Sequence, residues 1–413
     1  MDGIKTLCFL LVILFFSCTK ENPGLDRTVI PVADAIGTGE ILNLSDYAKS
    51  VKYVPLETND SVLIGHIEEL VYEDGEVFLF DFQTRQCKQF NKDGNFKTLI
   101  GGVGQGPGEY AFIRALSSIP ETKEVFLSTN QGYFIYGCEN ESYTYIPRID
   151  IIDTYWDATT LAITNTLFLS QIVSPKDRRY HALLWGKKGN DEIYKLKSNS
   201  AGLAFHLEPK SYTISTNKWR FQDQIRCYWP ETDTIYTVSD DLEFKKAFVI
   251  DLGKYKQSVE YILGAGREYE KKGCIGVLRN GYVESLNYLF LSFNFGELAP
   301  ERFSHEVTDL RTKKKKVVDV KTVYGLFCKQ TGELTLLNQP IKHKYLGFRN
   351  DLDGGPCFWP KYISSKDEMV TWFTADELLD IYEQLPNPSD ELRAVVKKLN
   401  PDDNPVLMVV QLK

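Results

Sequence analysis

The chain has 413 residues, with aromatics at 13% and 23 Tyr and 24 Phe against 3 Met. That balance favours pleated strands over helical bundles, because flat and branched side chains pack well on a sheet. Charged residues at 25% and hydrophobics at 43% exclude a wholly disordered chain, and a net charge of −8 excludes a protein carried by attraction to nucleic-acid phosphates.

The N-terminus reads as an address. Lys5 is followed by an apolar run over residues 7–16, too short to span a bilayer at ~20 residues but suited to a signal peptide. It ends in Phe15-Phe16-Ser17-Cys18, which resembles the lipobox of bacterial lipoproteins, with Phe16 standing where a small residue is usual. The expectation is a signal peptide over 1–17, lipid on Cys18 and a flexible tether over 18–40; the alternative is an ordinary signal peptide with an incidental Cys. Lipid would be the sole membrane attachment, placing the chain in the cell envelope, at the outer membrane, with the periplasmic or surface face open. Of the 8 Cys, Cys87, Cys138, Cys227, Cys274, Cys328 and Cys357 remain for the body. No Cys-x-x-Cys spacing suggests zinc; an even count in an oxidising compartment permits disulfides, while the apolar strands around Cys138 and Cys328 favour free thiols, and the sequence leaves the choice open.

From residue 41 to 413 the chain repeats one cadence, a four-strand meander. The clearest unit has strands over 67–72, 76–80, 86–90 and 95–100, with Asp74-Gly75 and Asp93-Gly94 as turns. Asp-Gly between apolar runs marks a type I′ hairpin, which needs positive φ at both positions. A second unit covers 112–118, 124–128, 133–138 and 142–148. A third covers 160–163, 167–173, 180–185 and 192–197. A fourth shows strands at 224–228, 234–238 and 245–251, its outer strand unclear. A fifth uses 282–286, 288–293, 322–328 and 333–338. The sixth begins near Phe358, includes 368–373, and is interrupted over 374–404 by two helices. Thr374 with Glu377 forms a capping box for the first, and Ser389 caps the second. Strand 406–412 returns, and 51–56 can pair with it as an outer strand, where Pro55 is tolerated on a free edge. The fold expected is all-β, a six-bladed β-propeller closed by both termini.

The run Gly101-Gly102-Val103-Gly104-Gln105-Gly106-Pro107-Gly108-Glu109-Tyr110 follows the hairpin Phe90-Asn91-Lys92-Asp93-Gly94-Asn95-Phe96. Together they resemble an NHL-type repeat. With Asp233-Thr234-Ile235-Tyr236, Asn350-Asp351-Leu352-Asp353-Gly354-Gly355, Phe358-Trp359-Pro360 and Asp403-Asn404-Pro405, the chain resembles the Bacteroidota family of six-bladed β-propeller lipoproteins. The resemblance implies a fold and an envelope location, and no reaction.

Local chemistry is sparse. Residues 104–108 lack the Gly-Lys-Ser/Thr of a phosphate loop and read as an inter-blade turn. Asp351-x-Asp353-Gly354 is a fragment of a calcium loop without the terminal Glu, so a turn is favoured, Ca²⁺ is the minor alternative, and no cofactor is expected. His66, His181, His206, His305 and His343 show no metal-ligand spacing, and Gly-x-Ser-x-Gly is absent. No catalytic or metal residue is singled out. The basic run 313–316 reads as a solvated loop. Two functions stay open: a binding module for a glycan, peptide or envelope-protein partner, and a propeller lyase or hydrolase acting on a saccharide or lactone. No nucleic-acid partner is expected, and the chain is expected to be a monomer. Both long insertions join second to third strands, so they rise on the face that carries the inter-blade loops. That crown offers Arg85, Gln105, Glu109, Tyr110, Arg349, Asp351, Asp353 and Trp359 as candidate ligand contacts.

Overall fold

The computed structural model describes residues 28–106, 109–137, 142–147, 156–173, 180–198, 218–229, 232–239, 241–256, 273–299, 304–308, 314–319, 321–338 and 346–413. Cys18, the signal segment and Cys138 lie outside them.

Six antiparallel sheets form the blades of a β-propeller. Blade 1 is Ile67–Glu73, Glu76–Asp81, Gln86–Asn91 and Phe96–Ile100. Blade 2 is Ile113–Ile119, Glu124–Thr129, Gly132–Gly137 and Ser142–Pro147. Blade 3 is Trp156–Ala162, Leu167–Val173, Tyr180–Lys188 and Asp191–Ser198. Blade 4 is Lys218–Phe221, Gln224–Trp229, Thr234–Val238 and Phe244–Ile250. Blade 5 is Gly276–Glu284, Tyr288–Asn294, Thr322–Cys328 and Leu334–Leu336, and carries a hairpin, Ser304–Thr308 with Lys315–Asp319, between its second and third strands. Blade 6 is Tyr362–Ile363, Glu368–Phe373, Val406–Leu412 and, from the other end of the chain, Ala48–Pro55. Its pairing runs from Val51 opposite Val410 to Pro55 opposite Val406.

The core is distributed between the blades. Each of six apolar clusters draws on neighbouring blades. In the strand Glu76–Asp81, Val77 and Leu79 face blade 6, whereas Phe78 and Phe80 face blade 2. Side chains of a strand alternate between its two faces, and here both faces are covered, so the strand reads as a continuous apolar run.

Three details differ from the sequence reading. The unassigned strand of blade 4 is its inner one, Lys218–Phe221. The chain enters the fold at residue 28 rather than 41: Val29 and Ile30 pair in parallel with Val249 and Ile250. From there it runs along the rim, bonding Glu40 to Leu336 and Asn338 on blade 5 before reaching blade 6. The 18–40 tether therefore ends early, because Ile30 and Val32 are apolar and wholly buried. Finally, Asp74-Gly75 has positive φ at both positions, 53° and 78°, but at Asp93-Gly94 only Gly94 does, at 85°. There Asn91 caps the turn, its Oδ1 accepting from the Asp93 and Asn95 N–H groups, and a Cβ on Gly94 would lie 2.0 Å from the Pro55 carbonyl oxygen.

The helical insertion forms as expected. Ala375–Tyr382 starts on the Thr374/Glu377 capping box, and Asp390–Val396 on Ser389, whose hydroxyl accepts from Leu392 N–H. Cys87, Cys227, Cys274, Cys328 and Cys357 are free thiols, the first two buried.

Candidate functional site

The inner strands of the blades enclose a central channel, with a cavity of about 790 Å³. That volume lies within the ~300–1,000 Å³ typical of small-ligand sites. Every blade contributes. Glu69 and Glu73 come from blade 1, Arg114, Ser117 and Ser118 from blade 2, Leu161 from blade 3, Trp219 and Arg220 from blade 4, Tyr282 and Glu284 from blade 5, and Lys361 and Tyr362 from blade 6.

The carboxylates of this wall are held. Glu73 accepts from Tyr362 Oη at 2.7 Å, from Ser365 Oγ at 2.7 Å and from Ser365 N–H at 3.1 Å. Burial pushes its carboxyl above the usual range, although those donors pull the other way. Burial and the nearby Glu73 charge raise the Tyr362 phenol well above its ordinary value, so it stays a donor. Glu69 accepts from Leu116 N–H of the neighbouring inner strand at 2.5 Å. Glu284 receives Trp219 Nε1, a forked pair from Arg226 at 2.9 and 3.0 Å, and Lys329 Nζ at 2.9 Å. Burial holds the Lys329 ammonium below its ordinary range, against the pull of Glu284. This cluster fastens blade 4 to blade 5.

Two cations are placed differently. Arg220 sends Nη2 to the Ala162 and Ile163 carbonyl oxygens of blade 3, and burial lowers its pKa. Lys361 lies 4.2 Å from the centre of the Trp372 ring. Its side chain is exposed and borders the cavity, and desolvation draws its pKa down to about 8, with Glu377 opposing. At pH 8 a large share of this amine is therefore unprotonated, whereas an ordinary lysine at ~10.4 is charged. Acylation at pH 8, followed by peptide mass spectrometry, should label Lys361 well ahead of the exposed Lys397; equal labelling would contradict the placement.

The crown residues named from sequence stand in the second hairpin of blade 1 (Arg85) and at the blade junctions 1–2 and 5–6. Arg85 and Gln105 are exposed, and Arg85 takes φ 59°. Glu109 accepts from Gly106 N–H at 2.7 Å. Tyr110 is buried, accepting from Cys87 N–H and donating to the Ile100 carbonyl oxygen. Arg349 donates from Nε to Asn43 Oδ1 at 2.7 Å. Asp351 takes both Ser45 N–H and Ser45 Oγ, and Asp353 takes Gly355 N–H and Ser389 Oγ. Trp359 is 7% exposed and stacks on Tyr324 with ring centres 4.4 Å apart. Of these residues Trp359 alone also borders the channel. Among the described residues, no group of three or more His, Cys, Asp or Glu is arranged to hold a metal. Sequence reasoning missed the channel wall because it is assembled from strands far apart in the chain. Glu73 and Ser365, for example, lie 292 positions apart.

The family model described as "Domain of unknown function (DUF4934)" matches residues 27–411. No curated protein matches the sequence. Among solved structures, a protein of Bacteroides fragilis described as exported is similar at 18% identity and TM-score 0.63, covering 94% of this chain and 100% of its own. A member of the duf4221 family from Bacteroides vulgatus is similar at 9% identity and TM-score 0.43, covering 89% of this chain and 97% of its own.

Proposed function

The chain belongs to the family described as Domain of unknown function (DUF4934), and from that premise we propose an exported, lipid-anchored envelope protein whose propeller binds a glycan or peptide in its central channel. The observation that carries the binding site is the cavity of about 790 Å³, bordered by all six blades and walled by hydroxyl, aromatic and charged groups from five of them. Rigid inner strands hold these groups in place, which spares a ligand the entropy cost of ordering its own site. The crown loops have less to offer, since most of their polar groups already serve neighbouring backbone or caps.

Trp219 and Trp359 border the cavity, so their emission reports its occupancy. Titration with a panel of small saccharides and short peptides should give a saturable change for one class. No saturable change from either class would contradict the reading.

The export and anchoring proposal rests on the apolar run over 7–16 ending at Ser17-Cys18. The description of the Bacteroides fragilis neighbour as exported agrees with it. Among the described residues no helix is long and apolar enough to cross a membrane. Cys18→Ala should move the protein from the membrane fraction to the soluble one; unchanged retention without a fatty-acid label would sink the anchor. The Asp-Gly hairpins and the loop over 101–110 support reading the blades as NHL-like.

One observation favours the alternative, a saccharide lyase or hydrolase: Glu73, a carboxyl raised by burial, shares the channel with Arg220. Raised carboxyls in clefts serve as general acids. Turnover of a bound saccharide, abolished by Glu73→Gln, would establish that reading.

A further inference from the structure

Arginine is used in two ways in blade 4. Arg226 is matched in full, its fork closed on Glu284 at 2.9 and 3.0 Å. Arg220 is not. Its side chain is 9% exposed, and its nearest carboxylate among the described residues is Glu121, 4.0 Å from Nη1. Nη2 is spent on the carbonyl oxygens of Ala162 and Ile163, and Nη1 reaches the Gln222 carbonyl oxygen at 3.2 Å. Nε is buried with no hydrogen-bond partner. A buried charged donor left without an acceptor is costly, and native structures ordinarily satisfy such groups. Ser117, also on the cavity wall and 7% exposed, has a buried hydroxyl with no partner.

The carboxylates around the channel do not fill this need. Glu73 is engaged by Tyr362 and Ser365, Glu69 by Leu116 N–H, and Glu284 by two cations and Trp219. His66 Nε2 lies 3.6 Å from Glu68 at the rim. These carboxylates are thus occupied, while Arg220 Nε sits buried in the cavity wall without an acceptor. Two main-chain carbonyls fix the plane of that guanidinium, so an incoming anion meets a preset geometry. With Nη2 and Nη1 already bonded to carbonyl oxygens, Nε is the donor left for one oxygen of a carboxylate, and a charge-assisted bond of this kind is stronger than a neutral one.

Resting on the reading of the channel as a ligand site, we infer that Arg220 receives a carboxylate and that the channel selects a small carboxylate-bearing molecule. The acid can come from a sugar or from the end of a peptide, and the two sources share this chemistry. Ser117 Oγ is placed on the same wall to bond a polar group elsewhere on the ligand.

The test uses the intact mature chain and four probes: glucuronate and its neutral amide, glucuronamide, and the dipeptide alanyl-alanine and its C-terminal amide. Titrations followed by tryptophan emission compare each acid with its amide. One acid should bind tenfold or more tightly than its own amide, and the pair that shows this identifies the source. The preference should vanish in Arg220→Met and shrink in Arg220→Lys, which keeps the charge but lacks the fixed Nε donor. Because the acid–amide comparison is made in the unaltered protein, it holds even if an Arg220 variant fails to fold. Ser117→Ala, which removes no existing hydrogen bond, should fold normally and weaken the preferred acid several-fold. If acids and amides bind alike, the carboxylate assignment is overturned while the channel remains the ligand site. If none of the four probes changes the emission, the assignment fails together with the channel reading.

Discussion

Deleting the last eight residues, 406–413, should abolish the cooperative fold of the whole ring. The strand Val406–Leu412 is hydrogen-bonded on one side to Glu368–Phe373 and on the other to Ala48–Pro55. Its loss strips blade 6 of its third strand and leaves the outer strand without a partner. Val406, Leu407, Met408, Val410 and Leu412 are each 5% exposed or less, and Val409 is 6% exposed. They supply two clusters, one against blade 5 and one against blade 1. At roughly 1.5–3 kcal/mol per buried apolar side chain, the loss is about 10 kcal/mol or more, comparable to the whole 5–15 kcal/mol stability of a typical domain. The truncated chain should accumulate as aggregate, because two strand edges open at once. A synthetic peptide of residues 405–413, added during refolding, should recover soluble protein. A truncated chain that melts at the temperature of the intact one would contradict ring closure by the termini.

The second large effect is expected at Glu284. Glu284→Gln preserves shape but leaves Arg226 and Lys329 facing each other with no counter-charge, their side chains 9% and 15% exposed. Removing one partner of a buried ion pair costs about 3–5 kcal/mol, because the remaining charge is stranded. Arg226 is further pinned over the Phe221 ring at 5.0 Å, and Lys329 at 4.0 Å, so neither cation can swing out to water without giving up those contacts. Denaturant unfolding should show a lower midpoint with an unchanged slope. The triple variant Glu284→Gln, Arg226→Met, Lys329→Met should regain part of the loss, since it removes the stranded charges. A Glu284→Gln protein as stable as the parent would show that the cluster contributes little to the junction of blades 4 and 5.

Much of the scaffold is legible in the sequence because its signals are local. The Asp74-Gly75 turn, the apolar runs on either side of it and the Thr374/Glu377 capping box each lie within a few residues. The circular closure was also readable, since the apolar strand 406–412 needed a partner and 51–56 stood unpaired before the first blade. What escaped was short or non-local. Lys218–Phe221 is only 4 residues long and mixes basic with aromatic side chains, so no period stands out. Val29–Ile30 is recruited by blade 4 from the far end of the chain. The candidate site escaped for a third reason. Asp351, Asp353 and Glu109 are conspicuous in sequence as polar residues in glycine-rich loops, but that chemistry also makes good turn and helix caps, and they are used so. Arg220 and Tyr362 are inconspicuous single residues on inner strands. Tyr362 meets Glu73, and Arg220 shares the channel with Ser117, because the ring brings the inner strands around one axis.

The crystal structure of the protein soaked with the ligand selected by the fluorescence panel is the most direct measurement. Ligand density inside the channel, in contact with Arg220 and the inner-strand hydroxyls, is the expected result. Ligand density confined to the crown around Arg85, Gln105, Glu109 or Arg349, with only water in the channel, would contradict the assignment of the channel as the binding site.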